Sequence, residues 1–436
     1  MPSVKLYPSI AVVFLALASV AAIPSAQACS LCTSYSLNHS NGNGGLSLVP
    51  ASATPPGFSA NIGPGSITAG LVGGLQFSLT EVPNEITADV RNGFITAANY
   101  WSSVVADAGF TVNLQIGFRD LGSGVLGQTG SNQVQQSYGD FRNALTARRT
   151  SVDDMKAVGS LQSGSNFSML LNGTANSPTG TGSRTPYVDN DGDANNSIVR
   201  MTTANARTLG LAPNYGTGDN AFDGLIAFNT RFAFDFDQSN GIMAGAYDFV
   251  GVATHEIGHA LGFISGVNVL DNFNAFGPYQ TDDQLTFVSP VDMFRYTALS
   301  AITSSNGVTG IPDFTLGTYS PDFGPGGGTL NPVDQYFSLD NGVTALAGLS
   351  TGRFFGDGQQ ASHWKDNQNL GIMDPTSSTG ELRRFSANDL RLYDVIGYTL
   401  RPGALESVSA PEPGSLAFML FTGICALKVR RRRQAK

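Results

Sequence analysis

Apolar residues recur at helical spacing in several stretches of this chain and alternate like strands in others. Their spacing predicts helices over about 84–108, 138–147 and 152–161. Alternation predicts a strand over 111–118, and two apolar runs predict strands over 223–229 and 231–236. Helices interleaved with strands indicate an α/β (α+β) fold.

A further helix is predicted over 248–262, and it carries reactive side chains. Apolar residues at helical spacing lead into His255-Glu256-Ile257-Gly258-His259, and Gly262 is a natural stop. Positions i and i+4 of a helix share one face, so His255 and His259 can direct two imidazoles at one metal ion. Glu256 lies beside the first of them, where its carboxylate can reach an activated water. H-E-x-x-H on a helix therefore predicts a zinc hydrolase with Glu256 as general base.

The remaining pattern is less regular. Residues 29–80 are rich in Gly, Ser, Asn and Pro, which predicts a flexible lead-in or pro-region. Residues 265–362 mix Gly/Pro loops with a short amphipathic helix predicted at 290–298, and we interpret them as an inserted subdomain. A closing helix is predicted within 386–398, with Ser386 as its N-cap.

The first 28 residues have the composition of a secretory signal peptide. Lys5 is followed by an apolar stretch from Ile10 to about Ile23, and Ala26-Gln27-Ala28 is a small-x-small cleavage site. We therefore expect signal peptidase to cut before Cys29 and the protein to be exported.

The C-terminal segment is ordered in a comparable way. Pro411-Glu412-Pro413 precedes an apolar run and the cluster Arg430–Arg433. This resembles the PEP-CTERM sorting signal of Gram-negative bacteria, which implies an exosortase-type enzyme as a partner. Positively charged residues beside a membrane segment stay in the cytoplasm, so the arginine cluster predicts that the large domain before it lies outside. The apolar run is shorter than the roughly 20 residues of a stable transmembrane helix, so transient inner-membrane anchoring fits better than permanent residence. The expected location is the cell surface, the extracellular matrix or the medium.

Charge and cysteine content narrow the choice of partners. Residues 1–28 and the tail after Pro413 hold seven of the 24 Lys and Arg residues and no acid, so the rest of the chain has 17 cations against 33 acids, a net charge near −16. An acidic protein lacks the basic face that nucleic acids require, so no nucleic-acid partner is expected. Cys29 and Cys32 are the two cysteines before the sorting signal, so this is not a disulfide scaffold.

A catalytic zinc ion usually takes three protein ligands, and the third is not adjacent to the helix. No glutamate occurs between Glu256 and Glu381, and the position three residues beyond Gly262 is Ser265. Of the two other histidines, His39 lies in the lead-in. The other, His363, lies in a Ser-His-Trp segment followed by Gly-Ile-Met373-Asp-Pro.

This pairing resembles the leishmanolysin-like metzincins, in which an insertion separates the helix from a third histidine and a methionine turn. The resemblance implies His255, His259 and His363 as zinc ligands, Glu256 as general base and Met373 as the turn beneath the metal. It also implies a metzincin-like protease fold with two subdomains around an active-site cleft. Asp374-Pro375 follows the methionine, so the tyrosine of some metzincin turns is missing and the oxyanion-stabilising group stays open.

The expected organisation follows from these assignments. Its parts are a signal peptide (1–28), a lead-in (29–80), an N-terminal protease subdomain (81–264), an insertion (265–362), a C-terminal subdomain (363–402), and a linker with sorting signal (403–436).

The expected activity is that of an exported zinc endopeptidase acting on a protein or peptide, with strands 223–236 offering an edge for extended substrates. Two alternatives stay open: a non-catalytic zinc protein of the exopolysaccharide matrix, and an amidase acting on cell-wall peptides. Asp189, Asp191 and Asp193 alternate as in calcium loops, although Arg200 occupies the place of the bidentate glutamate of an EF-hand. A calcium ion there is a secondary prediction.

Overall fold

The computed structural model describes residues 26–29, 66–211, 222–317 and 334–409. Most of the predicted signal peptide and the sorting signal from residue 410 lie outside these ranges. None of the described helices is long and apolar enough to cross a membrane. The predicted linker after residue 402 begins with a short helix, Ala404–Ser409.

The described residues form a mixed α/β fold with short peripheral strands. The helices are α1 Ala88–Val104, α2 Tyr138–Ala147, α3 Val152–Ser160, α4 Ala194–Ser197, α5 Thr203–Thr208, α6 Phe249–Leu261, α7 Val267–Phe276, α8 Ala298–Ile302, α9 Ala387–Val395 and α10 Ala404–Ser409. The strands are β1 Ala26–Cys29, β2 Ser66–Ala69, β3 Gln76–Glu81, β4 Thr111–Arg119, β5 Val125–Ser131, β6 Gln133–Ser137, β7 Met169–Leu171, β8 Tyr187–Asp189, β9 Ile198–Thr202, β10 Gly224–Asn229, β11 Phe234–Asp235, β12 Tyr247–Asp248, β13 Arg295–Tyr296, β14 Ser304–Ser305, β15 Val308–Thr309, β16 Tyr336–Phe337, β17 Ala347–Gly348 and β18 Thr376–Ser377.

Seven strands form the main sheet, in the order β18-β1-β5-β10-β4-β3-β2. Strands β3, β4 and β10 are parallel, whereas β5 runs antiparallel to β10. The predicted strands at 111–118 and 223–229 are confirmed as β4 and β10. The assignment of residues 66–80 to a flexible lead-in is wrong. Phe77 and Leu79 alternate into the core, and the strand that contains them pairs with β4 in full register.

Helices α1 and α6 pack against each other and cover one face of this sheet. Phe94 of α1 makes edge-to-face contacts with Phe228 of β10 and Phe249 of α6, both at 5.3 Å. The indole of Trp101 donates a 2.8 Å hydrogen bond to the carbonyl of Thr254. These buried contacts hold α6 in a defined position against the sheet.

The other predicted helices are also confirmed, with shifted ends. The stretch 84–108 is helical only over α1, because Thr87 caps its N-terminus with its side chain. The predictions at 138–147 and 152–161 correspond to α2 and α3. The closing helix α9 begins after Ser386, whose side chain accepts hydrogen bonds from two backbone amides of the first turn.

Two local predictions are wrong. Only Phe234–Asp235 of the run 231–236 is a strand, and it pairs with Tyr247–Asp248 outside the main sheet. The stretch 290–298 is not an amphipathic helix but a 3-10 turn over Val291–Phe294 followed by β13. The carboxylate of Asp292 accepts bonds from the amides of Ser289 and Gly266, which holds this backbone in a tight turn.

Candidate metal centre

Helix α6 places three reactive side chains in the core. Asp248 caps its N-terminus by accepting a 2.9 Å bond from the amide of Gly251, and Gly262 ends it at φ 130°. The predicted helix is therefore confirmed at both ends. His255, Glu256 and His259 are fully buried, with an accessible fraction of 0%.

The structure brings His363 to the other two histidines. The Nε2 atom of His259 lies 3.1 Å from Nε2 of His255 and 3.2 Å from Nε2 of His363. His255 and His363 stack with ring centroids 5.2 Å apart. The three side chains form a group that could hold a metal ion.

The tautomers of these histidines direct their free lone pairs at one point. Each Nδ1 lies within hydrogen-bond distance of a backbone carbonyl: 2.8 Å from Ile372, 2.7 Å from Phe263 and 3.2 Å from Gln360. A carbonyl only accepts, so each Nδ1 carries the proton and each Nε2 presents a lone pair.

Burial keeps the histidines neutral. It lowers the pKa of His259 to about 4 and holds the pKa values of His255 and His363 well below the usual range. Two nitrogens bound at 2.0–2.1 Å to a tetrahedral zinc ion lie roughly 3.3 Å apart. The observed separations and the converging lone pairs fit such an ion.

The segment before His363 is held by α7 and by a buried arginine. The side chain of Asn268 bonds both the amide of Ala361, at 2.6 Å, and the hydroxyl of Ser362, at 3.0 Å. The guanidinium of Arg295 donates to the carbonyl of Ala361 at 2.6 Å. Arg295 is fully buried against Asp292, so the predicted insertion supplies support for the third histidine.

Asp389 of α9 connects the residues that follow His363. Its carboxylate accepts a 2.7 Å bond from the indole of Trp364 and a 2.8 Å bond from the amide of Ile372. Met373 is fully buried, and its Sδ would lie 2.5 Å from a Cβ added at Gly258 of α6. The predicted methionine turn thus packs directly beneath the helix that carries the histidines.

Arg383 contacts the same turn from the other side. Its guanidinium donates to the carbonyls of Ile372 and Asp374 at 2.7 and 2.8 Å, while its amide donates to Asp248. The carbonyl of Ile372 also accepts the Nδ1 proton of His255. Arg383 therefore joins the start of α6 to the turn. Its positive charge also acts to lower the pKa of His255 and of Glu256.

Glu256 lies against strand β5, and its two carboxylate oxygens differ in their hydrogen bonding. The hydroxyl of Thr129 donates to Oε2 at 2.7 Å, whereas Oε1 has no hydrogen-bond partner among the described residues. Burial raises the pKa of Glu256 well above its usual range, opposed by the Thr129 bond and by the charge of Arg383. The free oxygen is the atom available to a water molecule.

Strand β10, part of the predicted substrate-binding edge at 223–236, is not at an edge of the sheet. Strand β10 lies between β4 and β5, so both its edges are paired and it offers none to a substrate. Strand β5 contacts α6 and is paired with β10 on one side and with β1 on the other. Strand β1 fills the slot between β5 and β18, parallel to β5 and antiparallel to β18.

The acidic loop is only partly as predicted. Carboxylate oxygens of Asp191, Asp193 and Asp283 lie within 4.8 Å of one another and could hold a metal ion. Asp189 is not in this group, because its buried carboxylate accepts a 2.8 Å bond from Asn195. Burial and the neighbouring Asp283 raise the pKa of Asp193 to about 7. Calcium at Asp189, Asp191 and Asp193 stays a prediction, although the grouped carboxylates are those of Asp191, Asp193 and Asp283.

No protein-family model, curated protein or solved structure matches this chain. The metzincin-like fold stays a prediction that rests on the motif residues. Sequence reasoning missed Thr129, Arg295, Arg383 and Asp389, which approach the site from distant segments. One feature of the sequence could have pointed to Asp389. It is the third helical residue after the cap Ser386, which is the capping-box position.

Proposed function

We propose that the protein is an exported zinc-dependent endopeptidase. The observation that carries this proposal is the convergence of three neutral histidine Nε2 atoms beside a buried glutamate with one free oxygen. His255, His259 and His363 would hold the zinc ion, and Glu256 would act as the base.

Zinc in such a site supplies a Lewis acid that polarises a carbonyl and makes water acidic near neutral pH. The residues of the chain perform the proton transfers. Oε1 of Glu256 takes a proton from the attacking water and delivers it to the amine that leaves. Burial raises the pKa of Glu256, which makes its carboxylate a stronger base toward the proton of the water. The backbone carbonyls on each Nδ1 hold the imidazoles in the orientation that ligation requires.

The slot between β5 and β18 supports an extended polypeptide as the substrate. A four-residue segment already pairs there by backbone registers on both sides, Gln27 with Val125 and with Thr376. Added strands of this kind are bound through main-chain hydrogen bonds. A substrate that replaced β1 would pass next to Glu256.

The rival function is a non-catalytic zinc protein of the extracellular matrix. The unpaired Oε1 of Glu256 argues against it, because an unsatisfied buried carboxylate oxygen costs about 1–3 kcal/mol or more and serves no structural purpose. An amidase of cell-wall peptides would use the same site, and the choice of substrates below separates it.

The test compares the exported chain with its Glu256→Gln variant. We expect one zinc ion per chain in both proteins, with cleavage of an unfolded protein substrate slowed roughly 10²–10⁴-fold in the variant. Zinc is measured by elemental mass spectrometry and cleavage by peptide mapping. One zinc per chain without cleavage in either protein would contradict the peptidase. Cleavage of cell-wall peptides alone would favour the amidase.

The ligand set is tested separately. His363→Ala should abolish tight zinc binding, because two histidines leave the ion under-coordinated. His39→Ala is the matched control and should retain a full zinc content. A near-normal zinc content in His363→Ala would refute the assignment of the third ligand.

A further inference from the structure

We infer that strand β5 positions the general base, with Thr129 clamping one oxygen of Glu256 and Gly127 leaving space for the other. Thr129 is a positioning residue, since it acts on the reaction through Glu256. This inference deepens the proposed peptidase function and rests on it.

The clamp is a short, buried and isolated contact. Thr129 and Glu256 are both fully buried, and the Oγ1–Oε2 distance is 2.7 Å. Among the described residues, this is the one hydrogen bond that the carboxylate receives. Hydrogen bonds to charged groups in such surroundings are worth about 1.5–3 kcal/mol, enough to fix a torsion of the side chain.

The same hydroxyl suits both protonation states of the glutamate. Thr129 Oγ1 also lies 3.0 Å from the main-chain carbonyl of Glu256. With the carboxylate ionised, the hydroxyl donates to Oε2. With the proton on Oε1, as the proposed mechanism requires, Oε2 is still an acceptor and the hydroxyl continues to donate to it. The carboxyl plane therefore keeps its partner throughout a cycle of proton uptake and release.

Gly127 controls the other oxygen by its lack of a side chain. Residues i and i+2 of a strand share a face, so Gly127 and Thr129 both point at α6. A Cβ added at Gly127 would lie 3.0 Å from Oε1 and 3.2 Å from Cγ of Glu256. Ser131, next on this face, contacts the carbonyl of His259 at 3.2 Å. The strand thus presents its small and polar face to the base and to a neighbouring ligand.

The experiment replaces the hydroxyl while keeping the shape, in the full exported chain. Thr129→Val should lower kcat roughly 10–100-fold, because it removes part of the rate enhancement that a well-positioned base supplies. KM and zinc content should not change. Thr129→Ser should restore kcat to within about threefold of the parent. Thr80→Val is the matched control, since Thr80 is a buried threonine of β3, separated from β5 by β4 and β10.

A crystal structure of Thr129→Val supplies a readout independent of turnover. The carboxylate of Glu256 should rotate away from the orientation seen in the parent. If Thr129→Val does not fold, Thr129→Ala and Thr129→Ser give the same comparison with two small side chains. Equal kcat for those two, or an unmoved carboxylate, would overturn the clamp while leaving the peptidase intact. An inactive parent would instead refute the peptidase, and the crystal structure would still decide the clamp.

Discussion

At the scale of single residues, the core of this protein holds carboxyl groups whose pKa is raised by burial. Asp394 is one of them and lies far from the histidines in sequence. It is 1% exposed, accepts a 2.6 Å bond from Ser151 and lies near Asp153 and Asp154. Burial is the main reason that its pKa rises to about 7.

This pKa makes stability depend on pH. An aspartate titrates near 3.9 in the unfolded chain, so the folded form binds the proton more tightly. Its contribution is fully present below about pH 4 and is lost as the pH rises toward 7. Asp394→Asn keeps an acceptor for Ser151 without the charge. We expect the variant to lose less stability than the parent between pH 5 and pH 8, by up to about 3 kcal/mol.

Denaturant unfolding at several pH values checks this, with the parent and the variant compared at each pH so that shared titrations cancel. Asp120→Asn is the control, because Asp120 is exposed and ion-paired with Arg231. Parallel stability curves for Asp394→Asn and the parent would contradict the prediction.

At this scale the sequence predicted the histidines and the glutamate of the site, but not the residues that hold them in position. Helical spacing predicted that His255 and His259 share a face beside Glu256, and the family resemblance pointed to His363. Thr129 and Arg383 could not be found, because nothing in their local sequence indicates that β5 and the segment before α9 meet α6. Such partners are determined by tertiary packing, which a short window of sequence does not encode.

At the scale of elements, the packing of α6 on the methionine turn depends on Gly258. A Cβ at this position would lie 2.5 Å from Sδ of Met373 and 2.6 Å from the hydroxyl of Tyr393. Both neighbours are fully buried and cannot withdraw into solvent. The glycine therefore permits the close approach that brings the turn beneath the histidines.

Gly258→Ala tests this approach. We expect it to destabilise the fold by about 1–3 kcal/mol through overpacking and to weaken zinc binding, since it moves the turn that bonds His255. Thermal unfolding and zinc titration measure the two effects. Gly139→Ala in α2 is the control, because that position is open and alanine favours helix. A Gly258→Ala protein as stable as Gly139→Ala would refute the argument.

Long periodic elements were predicted well, and short or irregular ones were not. The helices α1, α2, α3, α6 and α9 and the strands β4 and β10 have clear periodicity and capping residues. The stretch 290–298 has an apolar pattern that also suits a helix, but the Asp292 carboxylate accepts hydrogen bonds from the amides of Gly266 and Ser289, which holds a 3-10 turn there. Strands of two residues carry no periodic signal at all.

At the scale of the whole molecule, strand β1 links the predicted export signal to the site. It contains the predicted cleavage site, so cutting after Ala28 would remove three of its four residues. We expect the exported protein to begin at Cys29, with the slot between β5 and β18 open to substrates.

Blocking the cut should therefore reduce activity. In Ala28→Leu, which spoils the small-x-small site, the tethered segment stays and competes at an effective concentration of order millimolar. Cleavage at micromolar substrate should fall at least about tenfold. N-terminal mass spectrometry identifies the processed and unprocessed chains, and Ala22→Leu is a control within the apolar stretch. Equal activity of the two forms would contradict the blocking role of β1.

The pairing of β1 has a consequence for the cell that makes this protein. If β1 occupies the substrate position, every newly made molecule would carry its own inhibitory segment, and no separate inhibitor would have to be synthesised. Removal of the signal peptide outside the cytoplasm would also remove most of β1 from its position between β5 and β18. The proposed peptidase would then reach its substrates only after the signal peptide has been removed.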